Sequence, residues 1–391
     1  MLNRFAPVPI TGFALCNGLG VTTAAVREGL YEGRTGLGAS PTPLPFPTAV
    51  GAIDANLPEL PSELAPWSTR TARLALLLIE QLAEPLARLR KRVAPERIAV
   101  ILGTSTAGAD VTEDAFRHYI EHGRLPPDYD LWRHHTYGAL LHVVTELIGA
   151  RGPSWVVSTA CTSSAKPLGT AQRLIAAGMC DAAVVGGIDT LCSMTLRGFF
   201  SLDSLSAGAC KPFSAARDGI SIGEGGALLV LDRGGDAMAL LEGVGESSDA
   251  YHISAPHPEG AGARTAMERA LAQAGVAPSA VDCVNAHGTG TRLNDSAEAQ
   301  AISGLLGNDV PVISTKGYTG HMLGGAGASE AAIALFSLLE GWMPSSLGAD
   351  PIDDKIPINV AKTRTHGRFQ RALSNSFAFG GNNISVLLRA I

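Results

Sequence analysis

The stretch from residue 155 to residue 185 constrains this chain most tightly. A short apolar run at 155–158 leads into a helical pattern at 168–177, and a second apolar run follows at 182–185. The chain between the two runs has room for one crossover helix and little else. The segment therefore reads as a βαβ unit of about minimum size, with parallel strands and a right-handed crossover. Residues 97–102 read as a further strand and 74–89 as a further helix. The order returns downstream, with a strand at 281–285, a helix from about 296, a strand at 310–314 and a helix at about 327–339. The two stretches share element order without sharing sequence. An α/β fold of two similar halves is expected, divided in the Gly-rich stretch around 232–235 into residues 1–233 and 234–391. Nothing there resembles a long flexible linker.

Composition narrows the class of protein. With 391 residues, 46% of them hydrophobic, 17% charged and 45 glycines, the chain suits a large core crossed by close backbone approaches. Thirty Lys and Arg against 36 Asp and Glu give a net charge of -6. That balance argues against a protein held to nucleic acid by phosphate contacts. No run reaches the roughly 18 to 20 apolar residues of a membrane span, and the first twenty residues lack a basic segment followed by an apolar one. A cytoplasmic protein without membrane insertion is expected. The six cysteines form no CxxC pair, so reduced thiols are the default, with one of them free to serve as a nucleophile.

Cys161 stands out by position, in Val157-Ser-Thr-Ala-Cys-Thr-Ser-Ser164 between a strand and a helix. Unpaired N–H groups and the macrodipole at a helix N-terminus lower a thiol's pKa, and Pro167 belongs in the first turn of that helix. The alternative is a buried, inert cysteine. His287 follows the strand at 281–285, within Asn285-Ala-His-Gly-Thr-Gly-Thr291, and Asp295 with Glu298 has the look of a capping box for the next helix. His321 follows the strand at 310–314, and Lys316 precedes it by five residues. Either histidine alone is as readily structural, but the dense glycines around both hold backbone close to another backbone or to a ligand. Near the end of the chain, Gly380-Gly381 permits a tight turn whose N–H groups point into a site, or a plain hairpin. Gly223-Glu-Gly-Gly226 lacks a phosphate-loop ending, and His134, His135 and His252 lack metal-ligand spacing.

Together, one Cys after a strand, two His after later strands, a Lys five residues before the second His and a terminal Phe-x-Phe-Gly-Gly resemble a β-ketoacyl-acyl-carrier-protein synthase of class I/II. The resemblance runs from Ile10-Thr-Gly12 through Lys211-Pro-Phe213 and Arg217-Asp-Gly219 to Phe379-Gly-Gly381. It implies a thiolase-like five-layered αβαβα fold, with the nucleophile in the first half and both histidines in the second. It implies further that Cys161 accepts the acyl chain, that His287 and His321 assist decarboxylation of malonyl-carrier and stabilise the enolate, and that Lys316 tunes the His321 region with Glu330 behind it. The N–H groups of Cys161 and Phe379 become an oxyanion hole, Phe377 part of a gate, and Asn285, Glu330, Ser374 and Asn375 a monovalent-cation site. The product is a 3-oxoacyl-carrier protein in fatty-acid elongation. No free cofactor is required, since phosphopantetheine arrives on the acyl carrier protein.

These residue types suit that chemistry in their own right. A thiolate takes and surrenders acyl groups without a strong base, and donating imidazoles favour negative charge on a thioester oxygen. Ala378, Asn382 and Gly290 depart from the usual Gly, Thr and Ser, and 204–210 is shortened, which bears on the acyl chain accepted. A degradative thiolase needs a second late cysteine, and none follows Cys283. The active subunit of a specialised polyketide or polyene pathway, paired with a Cys-less paralogue, shares every catalytic residue with a homodimeric elongation enzyme. For docking an acidic carrier, Arg70, Arg73 and Arg133 are candidates.

Overall fold

The computed structural model describes residues 5–391. Eleven strands form one sheet that divides into two sets of the same design. In the first set the order is Ser154–Val157, Ile98–Gly103, Ala182–Asp189, Gly225–Asp232, Val8–Asn17, of which Gly225–Asp232 alone runs opposite to the other four. In the second, Pro311–Ile313, Cys283–Asn285, Arg371–Ala378, Asn382–Arg389 and Ala239–Ser248 repeat that order and those directions, with Asn359–Val360 added at the edge. The sets meet where Val8–Ile10 pairs with Ala239–Leu241. The parallel strands at 154–157 and 182–189 are not neighbours, because Ile98–Gly103 lies between them and pairs with both.

Two helices lie between the sheets. Ala326–Glu340 is buried on every side from Ala326 to Leu338, as a helix apolar all round must be, and touches both Gly225–Asp232 and Arg371–Ala378. Lys166–Ala176 likewise reaches Ala182–Asp189 on one side and Ala239–Ser248 on the other. Arg70–Gln81 and Tyr137–Ile148 cover the outer face of the first sheet, and Ala261–Ala274 with Arg292–Leu306 covers that of the second. The result is the five-layered αβαβα arrangement of the thiolase-like fold. Among the described residues, Leu323–Glu340 is long and apolar enough to cross a membrane, and 89% of it is buried in the middle layer.

The helix expected at 74–89 is two helices, Arg70–Gln81 and Ala83–Arg90, meeting at Leu82. Pro85 has no N–H to give the carbonyl of Gln81, so the ladder breaks there. Small residues set the approach of the middle layer to the first sheet. A Cβ on Gly103 stands 2.2 Å from the carbonyl carbon of Ser163, two residues past Cys161. Gly103→Ala is therefore expected to displace the cysteine turn and to cost about 1–3 kcal/mol in urea unfolding, with acylation of Cys161 falling more than that loss of folded protein accounts for.

Candidate active site

The cysteine turn is wound tightly. Ala160 adopts φ 53°, a strained region for a residue with a side chain, and thereby presents Cys161 to a cavity. Local hydrogen bonds over-determine the conformation. Ser163 Oγ donates to the Ala160 carbonyl at 2.6 Å and accepts from the Thr159 N–H at 2.9 Å, and the Thr162 hydroxyl donates to the Thr159 carbonyl at 2.8 Å. Helical bonding begins when the Lys166 N–H reaches the Thr162 carbonyl, and Pro167 sits in the first turn of Lys166–Ala176 as expected. The thiol itself differs from expectation. Burial pushes it up to about 12, against the opposing charge of Lys316. Desolvation of the thiolate thus outweighs the Lys316 charge, and no helix terminus lies at the sulfur, because the helix begins at Lys166 and not at Cys161 as expected.

His321 Nε2 lies 3.0 Å from Cys161 Sγ. The other ring nitrogen, Nδ1, accepts from the Leu323 N–H at 3.2 Å, so the proton of the neutral ring resides on Nε2. His287 is fixed the same way by a different donor. Lys316 Nζ is 3.2 Å from His287 Nδ1 and also bonds the His287 carbonyl and the Glu330 carboxylate. Lys316 therefore bonds His287 directly and acts on His321, the side the resemblance implies, through its charge alone. The backbone explains this: Lys316 opens a one-turn helix, Lys316–Thr319, that turns its side chain toward Glu330 on Ala326–Glu340. The two rings meet edge to face, centroids 5.1 Å apart. Burial first, then the Lys316 charge, holds both imidazoles well below their ordinary pKa, hence neutral at pH 7. Burial likewise pushes Glu330 up to about 7 while Lys316 pulls it down.

Cys161, His287 and His321 offer donor atoms within 4.8 Å of one another, a spacing that also suits a metal. Their surroundings are arranged the other way. A metal-binding imidazole donates its second N–H outward, whereas both Nδ1 atoms here accept hydrogen bonds and both Nε2 atoms carry the protons.

Asp295 and Glu298 do not form a capping box. The cap of Arg292–Leu306 is Thr291, without a side-chain bond. Glu298 instead accepts the N–H groups of His287 and Gly288, each at 2.8 Å, and Asp295 accepts those of Phe213 at 2.8 Å and Thr289 at 2.9 Å. Both carboxylates thus brace the histidine loop from below. Gly290 in that loop has φ 80°, which a serine would adopt only with strain.

Phe377 ends the strand Arg371–Ala378 with its ring centroid 6.0 Å from that of His287, and Phe379 follows, its ring 5.9 Å from Phe199. Both line a cavity of about 510 Å³ that also holds Cys161, His287, His321, Ile220 and Leu202. Gly380 and Gly381 turn with φ 80° and 73°. Ala378 is extended and needs no glycine. Asn382 has a partner: its Oδ1 accepts from Lys166 Nζ at 3.0 Å, tying the turn to the helix behind the nucleophile.

Asn285 Oδ1, Glu330 Oε2 and Ser374 Oγ are buried without a hydrogen-bond partner. Asn285 and Ser374 are register partners on adjacent strands, and Asn285 Nδ2 donates to the Glu330 carbonyl at 2.9 Å. Three orphaned oxygens in one place fit a hard cation. Asn375 is engaged elsewhere, its Oδ1 accepting from Ser385 Oγ and its Nδ2 facing Glu298.

Sequence reasoning missed Asp189. Fully buried, it accepts from Thr104 Oγ1, from the Ser105 and Thr106 N–H groups and, at 2.6 Å, from the Gly324 N–H beyond His321. An aspartate closing an apolar strand, Ala182–Asp189, is the signal that marks it. Two of the three arginines considered for carrier docking have partners within the fold. Arg70 is bound to buried Glu224 and the Ile53 carbonyl, and Arg73 to Pro58, Leu57 and Glu59, so both serve the fold. Arg133 is exposed, over the Trp67 ring.

A two-halved sheet with a cysteine and two donating imidazoles around one cavity defines a condensing enzyme of the thiolase-like fold. Residues 6–237 match the β-ketoacyl synthase N-terminal domain and 238–350 its C-terminal domain, and the chain belongs to the β-ketoacyl synthase family, an acyltransferase class. The 3-oxoacyl-[acyl-carrier-protein] synthase 2 of Synechocystis is 31% identical over 98% of this chain and 97% of its own. Among solved structures, a chain of the ketosynthase (ApeO) complex with its chain length factor (ApeC) from Xenorhabdus doucetiae is 37% identical, with TM-score 0.93 and 98% of each chain covered. A β-ketoacyl synthase from Burkholderia phymatum is 26% identical, with TM-score 0.89 over 98% of this chain and 99% of that one.

Two outcomes test the geometry. Alkylation of Cys161 by iodoacetamide, followed by mass spectrometry, should rise about tenfold per pH unit from pH 7 to 9, because only the thiolate reacts and its pKa lies above that range. A plateau below pH 8 contradicts the raised value. A double-mutant cycle of Lys166→Met and Asn382→Ala in urea unfolding should return a coupling of about 1–2 kcal/mol.

Proposed function

We propose that Cys161 carries the growing acyl chain and that His287 and His321 manage the malonyl unit. The observation that carries this reading is the pair of Nε2–H donors fixed beside one sulfur. Cys161 attacks the acyl-carrier thioester, the backbone N–H groups of Cys161 and Phe379 take the oxyanion, and the thiol proton leaves on the carrier's pantetheine sulfur. Malonyl-carrier then enters past Phe377 and loses carbon dioxide. The negative charge develops on its thioester oxygen, where two neutral N–H donors favour it without giving up their protons. The enolate carbon attacks the Cys161 thioester, and the thiolate departs and takes up a proton from solvent, leaving a 3-oxoacyl-carrier protein. Lys316 and Glu330 hold His287 in the donating tautomer. Asn285, Glu330 and Ser374 would hold a monovalent cation, which would balance the charge of the carboxylate and take no part in bond making.

The partner is an acyl carrier protein, which brings the phosphopantetheine; no free cofactor enters these steps. The working unit is a dimer built on the edge strand Ser154–Val157, where Trp155 is exposed, with Phe116, Tyr119 and Ile120 exposed on one helix, Ala109–His122. The two halves, 1–233 and 234–391, act as one body around the shared middle layer. Fatty-acid elongation by a homodimer is the first reading. The second, the active subunit of a specialised polyketide or polyene synthase with a Cys-less partner, draws on the likeness to the Xenorhabdus complex. Sedimentation of the purified chain together with its turnover of fatty acyl-carrier substrates separates them, because the second reading requires a dissimilar subunit for activity.

The variants divide the labour. Cys161→Gln should abolish condensation yet release carbon dioxide from malonyl-carrier, since a neutral side chain of that size stands in for the acylated thiol. His321→Ala should lose decarboxylation by about a hundredfold or more while retaining some acylation. Lys316→Ala should lose decarboxylation with the fold retained by circular dichroism. Decarboxylation by His321→Ala at the wild-type rate overturns the assignment.

A further inference from the structure

Arg292 is the one lysine or arginine among the residues lining the catalytic cavity, and it stands where that cavity opens to solvent. Three aspartates line the same cavity, and none takes it as a partner. Asp218 is engaged by Ser206 Oγ at 2.7 Å and the Ala207 N–H, and Asp249 by Asn383 Nδ2 at 2.8 Å and the His257 N–H. Asp203 lines the wall without an ion pair. Among the described residues Arg292 itself has neither an ion pair nor a side-chain hydrogen bond, whereas Arg217 is paired with Asp353. An unpaired guanidinium at the mouth of an otherwise acidic and apolar cavity is placed for an anion that arrives with the substrate.

We infer that Arg292 binds the phosphodiester of the phosphopantetheine arm and so positions the thioester at Cys161. This rests on the acyl-carrier chemistry proposed above. An arm whose thioester reaches Cys161 between the two imidazoles runs out along Thr289 and Thr291 toward the opening. Apart from the acyl group it carries, that arm is neutral from its sulfur through both amides, and its one fixed negative charge lies at the carrier end. A planar guanidinium pairs with two phosphate oxygens at once, which a lysine does not. Arg292 is also the first residue of the fifteen-residue helix Arg292–Leu306, so the helix N–H groups add to the same field.

The test uses two small acyl thioesters that differ only in the phosphate, one of phosphopantetheine and one of pantetheine, with acylation of Cys161 as the readout. Neither contains a carrier protein, so acidic side chains of a carrier contribute nothing. The wild type should prefer the phosphorylated thioester by about fivefold or more in kcat/KM, through KM, and Arg292→Gln should bring the ratio close to one, with Arg292→Lys between them. A ratio near one in the wild type, or a preference that survives Arg292→Gln, overturns the inference. So does an effect of Arg292→Gln seen with carrier-bound substrate alone, which assigns the residue to the carrier's carboxylates. Calorimetric binding of the two free arms gives a second readout. If neither thioester acylates Cys161, the acyl-transfer reading fails, while an Arg292-dependent preference for phosphopantetheine in that binding still supports the subsite, and its absence sinks it.

Discussion

The buried ion pair between Lys316 and Glu330 is the interaction on which the site depends. Both side chains are almost wholly removed from water, at 1% and 2% exposure, so neither stays charged cheaply without the other. The pair does more than neutralise itself. Through its remaining donors Lys316 holds the backbone and Nδ1 of His287, and that bond decides which nitrogen of the ring carries the proton. A fixed positive charge nearby also keeps both imidazoles neutral, as donors of a hydrogen bond and not of a proton. The expense of a charged pair in the core is thus tied to a choice of tautomer that no apolar packing makes.

Around that pair, carboxylates act as scaffolding. Glu298, Asp295 and Asp189 each gather backbone N–H groups from loops that have no regular structure to satisfy them. Strand ends of an α/β fold leave such loops at the mouth of the sheet, and glycine-rich loops fix their own shape poorly. A buried acid beneath each loop supplies the missing rigidity. The unpartnered oxygens of Asn285, Glu330 and Ser374 show the same logic left open on one side.

Much of this was legible in the chain. The parallel strands other than Arg371–Ala378, and both middle-layer helices, follow from apolar runs, and the positions of Cys161, His287 and His321 follow from strand-to-loop junctions. The antiparallel strands Gly225–Asp232 and Ala239–Ser248 were not read, since short apolar stretches rich in Gly and Ala carry little period. What sequence spacing could not convey was direction. Lys316 lies near His321 in the chain and near His287 in space, and Asp295 and Glu298 have the spacing of a helix cap while pointing into a loop. Likewise the thiol's environment depends on how completely neighbouring layers close over it, which a helix N-terminus alone does not reveal.

The helix Ala326–Glu340 packs on strands of both halves, and this fixes the order in which the chain can finish folding on the ribosome. The sheet of the first half is complete in sequence by Asp232 apart from its seam, yet Lys166–Ala176 covers only part of its inner face, and the part at Gly225–Asp232 waits for a helix that emerges about 100 residues later. At synthesis rates of roughly 5–20 residues per second, that apolar face waits some 5–20 s in the open. The first half of the chain therefore exposes apolar surface during translation that only the second half covers.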